Sequence, residues 1–219
     1  MQKIKFVFKN ADQKTKTAGI IALALAFAAI LTLIISANTA VNGSITNLPF
    51  LKMFVGEDAL DKFDDELEYL REEAEDLIDD ADEELIEEFE DEYGISPKKA
   101  LKLLDPISLN SIVTIMSVTD ELDLESAAII RTFVSAINGW AFLLVIFVAL
   151  SALFLNKGWF ITATVLSAGF FFTFVGAIAF VIFLGLCIAY CIFVSKVRDA
   201  FIIAKTQEGM ADSNNAFVG

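Results

Sequence analysis

The chain contains no histidine. That removes the commonest general base, the commonest metal ligand and the usual switch at physiological pH. Cysteine is scarce too. Its two copies, Cys187 and Cys191, sit one helical turn apart in the last apolar run, where they share a face and read as small packing residues. Bases are few where acids are dense: twenty-one of the 30 acids fall within residues 57–92, alongside only Lys62 and Arg71. So anionic a surface excludes nucleic acid as a partner. The longest apolar run, residues 159–195, holds no charge at all.

What is present is apolar. Of 219 residues, 56% are hydrophobic and 21 are phenylalanine, with a mean hydropathy of +0.64, which places the chain among membrane proteins. As one helix, residues 159–195 would reach about 55 Å against a hydrocarbon core of about 30 Å. Gly176 divides the run into 159–175 and 177–195, so two spans joined by a tight reversal are predicted. Residues 18–37 and 136–155 supply two more, with Trp140 at the outer interface of the second. The fold class expected is an all-α integral membrane protein with four transmembrane helices, the last two a hairpin, and an acidic helical domain inserted between the first and second.

Orientation follows from the positive charges. The arm 1–17 carries Lys3, Lys5, Lys9, Lys14 and Lys16 against Asp12 alone; Lys157 lies in the turn 156–158, and Lys196, Arg198 and Lys205 in the tail 196–219. The positive-inside rule then sets both termini in the cytoplasm and residues 38–135 outside, in a multi-pass protein of the plasma membrane. The first span is read as an uncleaved anchor, because Asn38 spoils the small-residue spacing of a cleavage site. Ala18, Ala22 and Ala26 form a small-residue stripe for helix packing, and Gly176, Gly185 and Ala189 play that part in the last two spans. The end of the chain, residues 207–219, is expected to be a mobile tail.

The acidic block keeps an apolar stripe. Leu60, Phe63, Leu67, Leu70, Ala74, Leu77 and Ala81 alternate by three and four, and Leu85, Phe89 and Tyr93 continue the pattern after a small phase shift. One long amphipathic helix is predicted, stopping at Gly94 with Pro97 beyond it. Leu70 and Leu77 are expected to be buried against segments 105–118 and 119–136. Ser96-Pro97 opens a helix bearing Lys98, Lys99 and Lys102, Asp105-Pro106 opens another, and Thr119 caps a third.

Chemistry has few footholds. Arg131 lies at a span edge and the spans are otherwise uncharged, which disfavours coupled transport. Thr162, Thr164, Ser167 and Thr173 have hydroxyls that helix carbonyls satisfy. Asp79, Asp80, Asp82 and Glu83 are dense in oxygen but lack the glycine and spacing of a calcium-binding loop, so weak divalent-cation binding is expected and no dedicated cofactor. The function expected is a structural or interaction role rather than an enzyme: an acidic domain displayed to a basic protein partner or to another copy of the chain. The rival is a cation channel with an acidic outer vestibule.

Overall fold

A computed structural model describes residues 2–118 and 124–216 and is 89% helical, with no strand among the described residues. The helices are α1 (Gln2–Lys9), α2 (Gln13–Asn42), α3 (Pro49–Val55), α4 (Glu57–Asp80), α5 (Glu83–Tyr93), α6 (Pro97–Lys102), α7 (Leu109–Val118), α8 (Leu124–Phe154), α9 (Lys157–Phe170) and α10 (Ala177–Ala216). A 3₁₀ turn (Ile45–Asn47) precedes α3 and a π-helical turn (Phe171–Val175) extends α9. Four stretches are long and apolar enough to cross a membrane: Gln13–Asn42, Ala128–Phe154, Lys157–Val175 and Ala177–Gln207. This is the architecture of a multi-pass membrane protein. Each span lies where hydropathy puts it, yet α2, α8 and α10 run past the predicted limits because no proline interrupts their polar flanks. α10 continues past residue 207, where the tail is expected to begin, to Ala216.

The chain forms two compact units. One comprises Met1–Ile34, Phe142–Gly169 and Ala177–Gly219. Its helices each bury a stripe spaced by three and four: Ala18, Ala22, Ala26, Ala29 and Leu33 on α2, Leu144, Val148, Ser151 and Leu155 on α8, Phe160, Ala163 and Ser167 on α9, and Phe183, Cys187, Tyr190, Val194 and Val197 on α10. That spacing keeps one seam facing inward along a helical bundle. Phe160 meets Phe183 at 5.7 Å and Tyr190 at 4.7 Å, edge to face, which sets α9 against α10. The predicted hydroxyls turn back onto their own helix: Thr162 donates to Gly158 O, Thr164 to Phe160 O and Ser167 to Thr164 O. On the opposite faces Ile20, Phe27, Phe142, Val165, Val181 and Ile188 are exposed, as surfaces that meet hydrocarbon must be.

The other unit comprises Ile35–Ala141 and Phe170–Gly176. Here α3 sits on the π-helical turn. Phe50, Phe133 and Phe174 form a triangle of rings with centroids 5.3–6.0 Å apart, and Trp140 reaches both Phe170 and Phe174 at 6.3 Å. Gly176, at φ +116°, ends that turn and begins α10, in backbone space closed to most side chains. Polar ties fix the acidic helices to this base. Ile45 N donates to Ile107 O at 2.9 Å, the Thr46 hydroxyl to the Asp64 carboxylate at 2.9 Å, and Arg71 pairs with Asp105. The helix expected from Asp105-Pro106 begins instead at Leu109. Ser108 caps it, its hydroxyl accepting from Ser111 N at 3.0 Å while Ser108 N donates to the Ser111 hydroxyl. The predicted cap at Thr119 lies outside the described residues.

Candidate functional site

The acidic stretch is not one rod. Ala81 and Asp82 are extended (ψ 140° and 166°), and the Asp82 carboxylate accepts from Leu85 N at 3.0 Å, opening a new helix. Aspartate is a strong N-cap, and Glu83 and Glu84 then fall in a first turn where the dipole favours anions. The phase shift between Ala81 and Leu85 in the apolar stripe is the sequence trace of this joint. α5 stops at Gly94 in the left-handed conformation, as predicted, and Pro97 starts α6.

The joint makes a concavity. Ala74, Leu77 and Ile78 of α4, Ala81, and Leu85, Ile86 and Phe89 of α5 form one wall. Pro97, Ala100 and Leu101 of α6, with Leu104 and Ile115, form the other. The groove encloses about 540 Å³, the size of a site for a large side-chain cluster or a small ligand. Its lining is apolar throughout. Lys98 bridges to Asp79 at 3.2 Å and ties α6 to α4 along one side, while the outer faces of α4 and α5 carry acids.

This arrangement corrects one expectation. Leu70 and Leu77, predicted to be buried, are 56% and 68% exposed, and Leu85 is 58% exposed. α6 has six residues and is too short to cover the stripe along its length. Leu60 is buried, Leu67 and Phe89 are half-buried, and Phe63 is exposed. The stripe therefore secures the domain at its Leu60 end and lies open around the joint.

The oxygen-rich quartet is not gathered. Asp82 is used as a cap and Asp79 pairs with Lys98, and among the described residues no group of three or more acidic or cysteine side chains is placed to hold a metal ion. Of the packing residues, Ala18, Ala22 and Ala26 are buried and Ala189 half-buried. Gly185 faces open space: a Cβ there would meet nothing within 4 Å, so it is not a helix-packing position among the described residues. Gly176 serves the turn. The close approach lies instead at Gly19, where a Cβ would fall 2.6 Å from Val7 Cγ1. Gly19 is what lets α1 lie on α2, and its proximity to Ala18 in sequence hid it within the alanine stripe. No protein-family profile, curated protein or solved structure matches this chain.

Proposed function

We propose that the protein is a membrane-anchored interaction module, with residues 38–135 outside the plasma membrane, both termini in the cytoplasm, and the groove between α4, α5 and α6 docking a basic amphipathic helix of another protein. The single observation that carries this reading is the groove itself: an open apolar groove of about 540 Å³ within the most acidic part of the chain. Acids alone would need no apolar stripe, and an apolar stripe made only for the fold would be covered. An occupant that matches both features has an apolar face for Leu77 and Leu85 and cations on its flanks for the surrounding carboxylates. Helix-in-groove binding works in this way, with apolar anchors giving affinity and flanking charge giving speed and selectivity. The orientation rests on the cations of the arm, Lys157 and the tail, which the positive-inside rule assigns to the cytoplasm.

The test uses purified full-length protein in zwitterionic nanodiscs and two fluorescent peptides of equal positive charge. One is a leucine–lysine amphipathic helix, the other its scramble with no apolar face. The amphipathic peptide is expected to bind saturably and more weakly as salt rises. Leu77→Ser with Leu85→Ser should weaken it about tenfold, equivalent to ~1.4 kcal/mol. Equal binding of the scramble, or unchanged binding by the double variant, would overturn the proposal. A concentration-dependent dimer lost in that variant would assign the groove to a second copy instead. Selective cation currents abolished by neutralising the acids would replace the reading with a channel.

A further inference from the structure

The basic arm is not a loose tail. α1 alternates Lys3, Lys5 and Lys9 with Ile4, Phe6 and Val7, and eight residues are too few to hold a helix by propensity alone. Tertiary contacts hold it. Val7 is buried over Gly19, Phe6 meets Phe201 edge to face at 5.4 Å, and the Lys3 ammonium donates to Leu155 O at 3.3 Å. The last contact places a cation on the carbonyl end of α8, where the helix dipole favours it.

Two adjoining cavities result, of about 270 and 530 Å³, which share Gln2 and Phe201. Lys5, Lys9 and Lys205 line the first and Lys3 the second. Among the described residues no carboxylate lines either one, although the chain as a whole carries 14 more negative than positive charges. Among the described residues these four ammonium groups have no carboxylate beside them in the cavity linings, and like charges repel, so the arrangement favours an anion. The floor is unlike that of a site for a small free anion. Phe6 and Phe201 line the first cavity, and Phe154 and Trp159 the second. Phe154 and Trp159 lie where α8 ends and α9 begins, at the margin of two spans.

We infer that these two cavities form a binding site for the phosphate headgroup of an anionic phospholipid. The lysines take the phosphate, the amides of Gln2, Asn10 and Asn156 add donors for the polar headgroup, and the rings receive the upper acyl chain. A lysine beside an anionic membrane surface contributes about a fivefold preference, so several acting together discriminate strongly against a zwitterionic lipid. The site belongs to the bundle and is independent of the groove.

Brominated lipids test it directly, because bromine quenches a nearby indole and the chain has 2 tryptophans. In a Trp140→Phe background, in phosphatidylcholine micelles, Trp159 reports on the cavity. Dibromo-phosphatidylglycerol is expected to quench Trp159 at a mole fraction about tenfold lower than dibromo-phosphatidylcholine does. Lys5→Gln, Lys9→Gln and Lys205→Gln together should bring the two lipids to parity with the melting temperature kept. If the triple variant does not fold, Lys5→Gln alone should cut the preference about fivefold. Equal quenching by both lipids in the parent protein, or an undiminished preference in the variants, would overturn the inference. Relief of quenching by millimolar inorganic phosphate at constant ionic strength would also overturn it, assigning the site to a free anion.

Discussion

Tyr190 on α10 donates its hydroxyl to the Ser151 carbonyl on α8 at 2.6 Å, across 39 residues of chain. The same carbonyl accepts from Asn156 N at 3.1 Å, and the Ser151 hydroxyl donates to Asn156 O at 2.7 Å. The bond thus fastens α10 to the end of α8. Tyr190→Phe removes one of two donors and should cost about 0.5–1.5 kcal/mol, the range of a hydrogen bond whose acceptor keeps a partner. Tyr190→Ala also empties the ring site beside Phe160 and should cost about 3–5 kcal/mol. Denaturation followed by tryptophan fluorescence separates the two; equal losses would mean that the ring contributes nothing.

Leu155 has φ +43° and is 1% exposed. It occupies the left-handed position after α8, with Asn156 N and Leu155 N closing back on Ser151 O and Ala152 O, where glycine is the usual residue. Left-handed backbone costs about 1–2 kcal/mol, and deleting a buried leucine side chain about 2–5. Burial outweighs strain, so Leu155→Gly should lose roughly 1–3 kcal/mol. A variant that melts higher than the parent protein would reverse that ranking.

Two leucines of one stripe should behave differently. Leu60 is 6% exposed and Leu77 is 68% exposed. Leu60→Ala should cost about 2–5 kcal/mol, whereas Leu77→Ala should stay within about 0.5 kcal/mol. Thermal melts of the two proteins check this, and similar losses would mean that the groove is closed.

Asp82→Ala removes the cap that starts α5 and should cost about 0.5–2 kcal/mol. Hydrogen exchange should then quicken in α5 while amides near Leu60 keep their protection. Uniform loss across both helices would show that the joint is held by packing and not by its cap.

Asp12 opens α2, accepting from Thr15 N at 3.2 Å. Its hydrogen bonding with Thr15 holds the carboxyl below the ordinary value of 3.8. Because the folded value is the lower one, the stabilisation is complete above the ordinary value and is lost as pH falls through the folded one. The gap in melting temperature between the parent protein and Asp12→Ala should therefore be constant near neutrality and close in strong acid. A gap that widens on acidification would contradict the sign.

Hydropathy locates the spans because a charge-free run has few alternatives, and Gly176 and Gly94 mark breaks because each adopts positive φ. The acidic domain is less legible. Periodicity reports which leucines share a face but not whether anything covers that face, so Leu70 and Leu77 read as buried. The covering elements are short, and their length depends on Ser108 and Pro97. The stripe shows only a small phase shift at the joint, and one aspartate among many acids gives no sign that Asp82 caps a new helix. Gly19 is silent for a similar reason: a glycine among alanines gives no sign that Val7, from another helix, rests on it.

The outward-facing Ile20, Phe27, Phe142, Val165, Val181 and Ile188 change what unfolding means for this chain. A water-soluble bundle hides its apolar area when it folds and releases it to water when it melts. Here much of that area already faces hydrocarbon, and the backbone cannot give up its hydrogen bonds there. Disrupting the bundle separates intact rods, with little new hydration and hence a small heat-capacity change. The segment α4 to α7, whose first two helices carry the acids, obeys the opposite rule and should melt to coil with an ordinary heat-capacity increment. A single polypeptide thereby carries two calorimetric signatures, one set by water and the other by lipid.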